Sequence, residues 1–262
     1  MYATNYHRAS SVADAAAKAS GADDAKYLSG GQTLIPTMKQ RLAAPSDLVD
    51  LSQVEEMRGI TTDGRSVTIG AAMTHAEVAG SAEVANAIPA LAALAGGIGD
   101  PAVRAKGTIG GSVANNDPAA DYPAACLGLG ATIRTNTREI AADDFFVGLF
   151  ETALEEGEII TAVTFPVPEA AGYAKFPNPA SRYAMVGVMA ARTGGGTRVA
   201  VTGAGANGVF RYAEAEAALG GDWSPEAVTR SPGEPMSEDM HATAAYRAAL
   251  TVTMTKRAIT AS

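Results

Sequence analysis

The chain has 262 residues, 47% of them hydrophobic and 18% charged, which is enough apolar content for a packed core and too little charge for disorder. At about 100–200 residues per domain this length fits one large domain or two modest ones. The net charge of −8 comes without any run of basic residues, so nucleic acid is not an expected partner: a duplex-binding surface needs clustered Lys and Arg to displace counterions.

The single cysteine, Cys126, lies in the apolar stretch "YPAACLGLG" and reads as a small buried hydrophobe. One cysteine excludes an internal disulfide, a Cys-rich zinc site and an iron–sulfur cluster held by this chain alone. The N-terminus lacks the apolar segment of a signal peptide, and no apolar run approaches the roughly 18 residues of a membrane span. A soluble cytoplasmic protein is the expectation.

In chain order, "SVADAAAKAS" reads as a helix capped by Ser10 or Ser11, and "AKYLSGG" as a short strand running into glycines. "TLIPTMKQRLA" places Leu34, Ile35, Met38 and Leu42 at helical spacing, with Pro36 early enough to be tolerated. "DLVDLS" is a second strand, and the βαβ order favours parallel pairing. Asp63-Gly64 between two strand-like runs predicts a hairpin. Thr74 and Glu77 have capping-box spacing, with His75 inside the box, where a structural role is expected. "IPALAALAGG" is an apolar helix closed by glycines. "ATIRT", "REIAADDFF" and "EIITAVTFPVP" follow, the last resembling a buried strand.

The turn-rich "AAGYAKFPNPASRY" suggests a domain boundary near residue 168. Beyond it, "AMVGVMAART", a glycine turn and "TRVAVTGAG" read as antiparallel strands. "AEAEAALG" is a helix, "SPEAVTR" opens another with Ser224 as N-cap, and an amphipathic helix spans roughly 239–259.

Two glycine pairs carry the candidate chemistry. "SGGQT" and "GTIGGS" each allow backbone to approach a ligand, and successive N–H groups in such a turn form a concave nest for an anion. A helix opening after the first would add its own free N–H groups. Ser29, Thr33, Thr108 and Ser112 offer hydroxyl donors. Two nests can grip the two phosphates of one dinucleotide, or each can be a plain tight turn.

Two other motifs compete. "GAGANG", Gly203 to Gly208, fits GxGxxG after a strand, with Asp222 at the distance of a ribose-binding acid. Too little chain follows it for a doubly wound sheet. "GIGDPA", Gly97 to Ala102, follows a helix and is discounted. Asp117 and Asp121 can pair for acid–base work, but Asp117 before Pro118 reads as an N-cap, and Asp121 can accept from a ribose or adenine. His7, His75 and His241 have no metal-like spacing. No activated nucleophile is evident, so no catalytic side chain is named and the chemistry is assigned to a cofactor.

The stretches "SGGQTLIPTMKQRLAAPSDLVDLS" and "IGDPAVRAKGTIGGSVANNDPAADYPAACLGLGATI", with the tail "SEDMHATAAYRAALTVTMTKRAI", resemble the FAD-binding medium subunits of molybdenum hydroxylases, the group of carbon monoxide dehydrogenase and xanthine dehydrogenase. The resemblance implies an α+β fold: a two-lobed FAD-binding domain of the p-cresol methylhydroxylase/vanillyl-alcohol oxidase type over 1–168, with lobes of about 1–55 and 56–168. A smaller C-terminal α+β domain, an antiparallel sheet with helices, would occupy 169–262.

It further implies non-covalent FAD, with Ser29, Gly30, Gly31, Gln32, Thr33 and Leu34 at the pyrophosphate, and Thr108, Ile109, Gly110, Gly111 and Ser112 as the second segment. Asn115 and Asp121 would approach the cofactor, and Lys175 and Tyr183 would lie near the flavin ring. The two prolines of "KFPNPASRY" depart from the family pattern around Lys175. The implied role is electron transfer. A large subunit would hold the molybdenum cofactor and a small one [2Fe-2S] clusters, as a dimer of heterotrimers, and the flavin would pass electrons to an external acceptor. The competing readings are a self-contained nicotinamide-dependent oxidoreductase using Gly203 to Gly208, and a non-catalytic interaction module whose glycines only turn.

Overall fold

Short strands separated by helices dominate the first fifty residues, and they fold as the βαβ order requires. In a computed structural model covering residues 1–262, β1 (Asn5–Arg8), α1 (Val12–Ser20), β2 (Ala25–Leu28), α2 (Leu34–Lys39) and β3 (Asp47–Asp50) build a three-stranded parallel sheet of order β1-β3-β2. Ser11 caps α1 by accepting from the Asp14 N–H. The second helix stops at Lys39, because Arg41 adopts a left-handed conformation, φ 62°. Of its expected apolar face only Met38 is buried, and Leu42 is 75% exposed.

The next segment builds a five-stranded antiparallel sheet with helices packed against it. β4 (Ile60–Thr62) and β5 (Ser66–Gly70) form the hairpin expected at Asp63-Gly64, with Gly64 at φ 81°. Helices α3 (His75–Gly80), α4 (Ala82–Ala87), α5 (Pro89–Gly96), α6 (Pro101–Arg104), α7 (Ile109–Asn115) and α8 (Tyr122–Leu129) follow. Thr74 and Glu77 close the capping box of α3 reciprocally. Then come β6 (Thr132–Thr135), β7 (Glu139–Ala141), α9 (Ala142–Phe145), the small hairpin β8 (Phe146–Gly148) and β9 (Glu151–Thr152), and β10 (Ile160–Pro166). Strand β10 is central in the order β4-β5-β10-β6-β7, with Ile160, Ala162, Val163 and Phe165 buried and Thr161 and Thr164 half-buried.

The remaining chain forms an antiparallel sheet, β11 (Ala170–Pro177), β12 (Ala184–Thr193), β13 (Gly196–Thr202) and β14 (Phe210–Arg211), in that order. It carries α10 (Ala213–Gly221) and α11 (Ala244–Thr260). The last helix begins five residues later than 239 because Asp239 is taken up by a loop ion pair with Arg247. "SPEAVTR" makes only a single 3-10 turn, Pro225–Ala227.

Helix α8 joins the two sheets. Every residue from Tyr122 to Leu129 is buried, because the helix lies between the helical layer and the strands β12 and β13. A helix that is apolar all round must be covered on all sides. Its Cys126 is fully buried, and burial pushes the thiol well above its ordinary range. No helix is long and apolar enough to cross a membrane.

Candidate functional site

The two glycine segments meet although nearly eighty residues separate them. Ser29 follows β2 and Thr108 precedes α7, and their hydroxyls are 2.8 Å apart. A Cβ on Gly30 would lie 2.2 Å from the Lys106 carbonyl oxygen and 2.6 Å from the Gly107 Cα, so only glycine allows the two backbones this close. Both segments line one cleft of about 540 Å³. Tyr27, Leu154, Glu158, Asp117, Ser181, Arg182 and Tyr183 are among its other lining residues.

The segments differ in how they use their backbone. In the first, Gly31 turns with φ 67°, and none of the N–H groups from Ser29 to Leu34 donates to another group of the chain. A run of free amides around one concave turn is an anion-binding nest. The second segment is not a turn. Gly110 and Gly111 lie in the first turn of α7, which Thr108 caps by accepting from the Gly111 N–H at 3.1 Å. Its other amides are spent: Ile109 donates to Met73, Gly110 to Ala71 and Ser112 to Thr108. A Cβ on Gly110 would sit 2.5 Å from the Ala71 Cβ, so this glycine serves packing. The expectation of two facing Gly-Gly nests is corrected to one amide cradle facing a capped helix start. From the second side the cleft receives the Thr108 and Ser112 hydroxyls, and the latter has no partner within the chain.

Of the other expected site residues, Asn115, Asp121 and Tyr183 line the cleft. Tyr183 is 45% exposed, in the turn between β11 and β12. Ile109 is fully buried beneath the cleft and packs into the core. Lys175 does not line it. It sits in regular register on β11, opposite Gly187, despite the nearby prolines. Its ammonium lies 2.9 Å from Asp121 and donates to the Gly97 carbonyl, also at 2.9 Å. Asp121 is 4% exposed and also accepts from the Tyr173 hydroxyl. Burial pushes the Asp121 carboxyl up, against the opposing pull of Lys175 and Tyr173. Asp117 caps no helix; its carboxylate accepts from the Ala119 N–H at 2.8 Å in an Asx turn.

Sequence reasoning did not place His75, Ile98, Gly99, Val103, Asp117 or Glu158 in the cleft, yet all line it. Two of them carried a signal: Asp117, four residues before Asp121 but read as an N-cap, and His75, a titratable side chain at a helix start whose position the capping box explained without a ligand. Glu158 is held by Arg138, which with Thr135, the Glu155 N–H and Thr137 depresses its carboxyl far below the ordinary range.

The GxGxxG segment is not a dinucleotide loop. Gly203 to Gly208 connects β13 to β14 within an antiparallel sheet, whereas the nucleotide loop of a doubly wound fold joins a parallel strand directly to a helix. Gly203 instead donates its N–H to the Pro118 carbonyl at 2.7 Å.

Residues 2–168 match the family described as the FAD binding domain in molybdopterin dehydrogenase. The carbon monoxide dehydrogenase medium chain of Afipia carboxidovorans is 43% identical over 65% of this chain and 61% of that relative. The nicotine 6-hydroxylase medium subunit of Paenarthrobacter nicotinovorans is 33% identical over 98% of this chain and 96% of its own length. Among solved structures, a cyanide-inactivated Cu,Mo-CO dehydrogenase superposes with a TM-score of 0.89 at 33% identity, over 100% of this chain and 98% of the matched one.

Proposed function

The chain belongs to the family of FAD-binding medium subunits of molybdopterin dehydrogenases, and on that premise we propose that it is the electron-transferring flavoprotein subunit of a heteromeric molybdenum hydroxylase. The observation that carries this reading is the run of free amides from Ser29 to Leu34, held against Thr108 in a cleft of about 540 Å³. Such a cradle suits a diphosphate: donors converge without a Cβ in the way, and two hydroxyls stand opposite.

The residues present fit FAD. Ser29, Gly30, Gly31, Gln32, Thr33 and Leu34 would hold its diphosphate by backbone donation, and Thr108 and Ser112 by their hydroxyls. Ile109, Gly110 and Gly111 set the distance of α7 from that group. Asn115 and Tyr183 would contact the cofactor further along. Asp121 is positioned by Lys175 and Tyr173, which tie the C-terminal sheet to α8. When bound non-covalently, the flavin supplies a ring that exchanges electrons singly or in pairs.

In this reading, residues 1–168 form the cofactor domain, with lobes of about 1–55 and 56–168, and 169–262 closes one end of the cleft. The partners are a large subunit with the molybdenum cofactor and a small one with [2Fe-2S] clusters, assembled as a dimer of heterotrimers in the cytoplasm. A chain whose single cysteine is buried needs such a partner to supply clusters.

The full chain, expressed with its neighbouring subunits, tests this. Acid-denatured protein should release FAD into the supernatant at about one per chain, and the complex should co-purify with iron and molybdenum. A colourless chain that does not bind FAD on titration would overturn the proposal.

A further inference from the structure

His75 stands at the wall of the cleft with both ring nitrogens unpaired within the chain. It is 5% exposed, and its Nδ1 is fully buried without a hydrogen-bond partner. Buried polar groups are normally satisfied, so an orphaned imidazole on a cleft wall needs an explanation. The capping box does not supply it, since Thr74 and Glu77 complete that motif without the ring. Nor is the ring there by default. Gly107 makes room for it: a Cβ at that position would lie 2.6 Å from Nε2.

The surroundings define what the ring can meet. Ile98, Gly99 and Val103 add a small apolar wall to the same cleft, and the His75 ring and the Val103 carbonyl both lie beside Gly107. Arg104 donates to the carbonyls of Ile98 and Gly99, at 2.9 and 3.1 Å, and fixes that wall. Tyr122 lies behind, its ring centroid 5.4 Å from that of His75. With Nδ1 sealed off, Nε2 is the ring nitrogen available to a ligand. An orphaned buried N–H is rarer than an orphaned lone pair, which puts the proton on Nε2 and makes it a donor.

We propose that His75 is a further ligand-contacting residue of this cleft, donating from Nε2 to an uncharged carbonyl or ring nitrogen on the heteroaromatic ring of the bound flavin. The inference rests on the FAD reading of the cleft and adds a contact at its apolar wall, apart from the amide cradle. Burial and the neighbouring Arg104 cation lower the imidazole pKa to about 4, so the ring is neutral near pH 7. A neutral donor suits a carbonyl or ring nitrogen better than a phosphate, which would favour imidazolium.

With only three histidines, His7, His75 and His241, the full chain is suited to isotope labelling of the imidazole nitrogens. The flavin-free protein should show His75 as the neutral Nε2–H tautomer. FAD and FMN should both shift its Nε2 resonance, whereas ADP, which lacks the flavin ring, should not. A second measurement is flavin affinity in His75→Leu, expected to fall about tenfold with the melting temperature of the flavin-free chain unchanged. An unmoved resonance with FAD demonstrably bound would overturn this proposal alone. So would a shift with ADP, or affinity and melting temperature falling together. Failure of the wild-type chain to bind FAD at all would overturn the underlying reading as well.

Discussion

Ser29 and Thr108 share a hydrogen bond, hydroxyl to hydroxyl at 2.8 Å, across 79 positions of sequence. It joins the end of β2 to the N-cap of α7, and both residues line the cleft.

That contact depends on Gly30. In Gly30→Ala the new Cβ would strike the Lys106 carbonyl and the Gly107 Cα, neither of which can swing aside. The backbones must separate, at a cost of about 1–3 kcal/mol or more. Flavin content should collapse and the melting temperature fall, measured by absorbance and calorimetry on the same preparation.

The glycines of α7 should respond differently from each other. Gly110→Ala drives a Cβ into Ala71, both side chain and backbone, and should destabilise the fold itself. In Gly111→Ala the Cβ meets only the Thr108 hydroxyl, at 3.0 Å, and the Ser29 Cβ, at 3.7 Å. It should spare stability, aided by alanine's better helix propensity, while weakening FAD binding. Equal losses of stability in the two variants would contradict this division of roles.

Asp121, the N-cap of α8, and Lys175 on β11 form a buried pair. Lys175→Met leaves an uncompensated buried carboxylate and should cost about 3–5 kcal/mol. Adding Asp121→Asn should recover part of that loss, because the stranded charge is removed. Denaturant titration of the two single variants and the double variant measures the coupling.

Glu158 makes stability pH-dependent in a defined direction. Its folded-state pKa is held below the ordinary 4.5 by Arg138 and the surrounding donors. The stabilisation is therefore complete above that value and is lost as pH falls below it. Melting temperature against pH should decline on the acid side, and Glu158→Gln should flatten that decline while lowering stability at neutral pH.

Cys126 is enclosed on α8, and burial raises its thiol pKa. The native protein should resist alkylation, and the thiol should react only after unfolding. Fast labelling of folded protein would show that α8 is not sealed between the two sheets.

Local chemistry wrote much of this architecture into the chain. The Asp63-Gly64 hairpin, the Thr74–Glu77 capping box, the apolar α5 and the paired strands after residue 184 follow from turn geometry, capping and periodicity. These act over a few residues and so leave a mark in the sequence. The failures share a cause as well. "TIGG" looked like a turn because glycine pairs usually are, but Thr108 caps a helix there and Ala71 needs the space. "GAGANG" has the spacing of a nucleotide loop, yet its strands pair antiparallel, and spacing does not encode pairing direction.

The sequence by itself determined many of the elements, the two glycine segments and the family they belong to, because these rest on contiguous residues. Only the tertiary structure decided which amides stay free, that Lys175 reaches the cleft through Asp121, and that His75 is left without a partner. Each depends on groups brought together from distant positions, where one carbonyl or one missing Cβ decides whether a donor is spent or left facing the cleft.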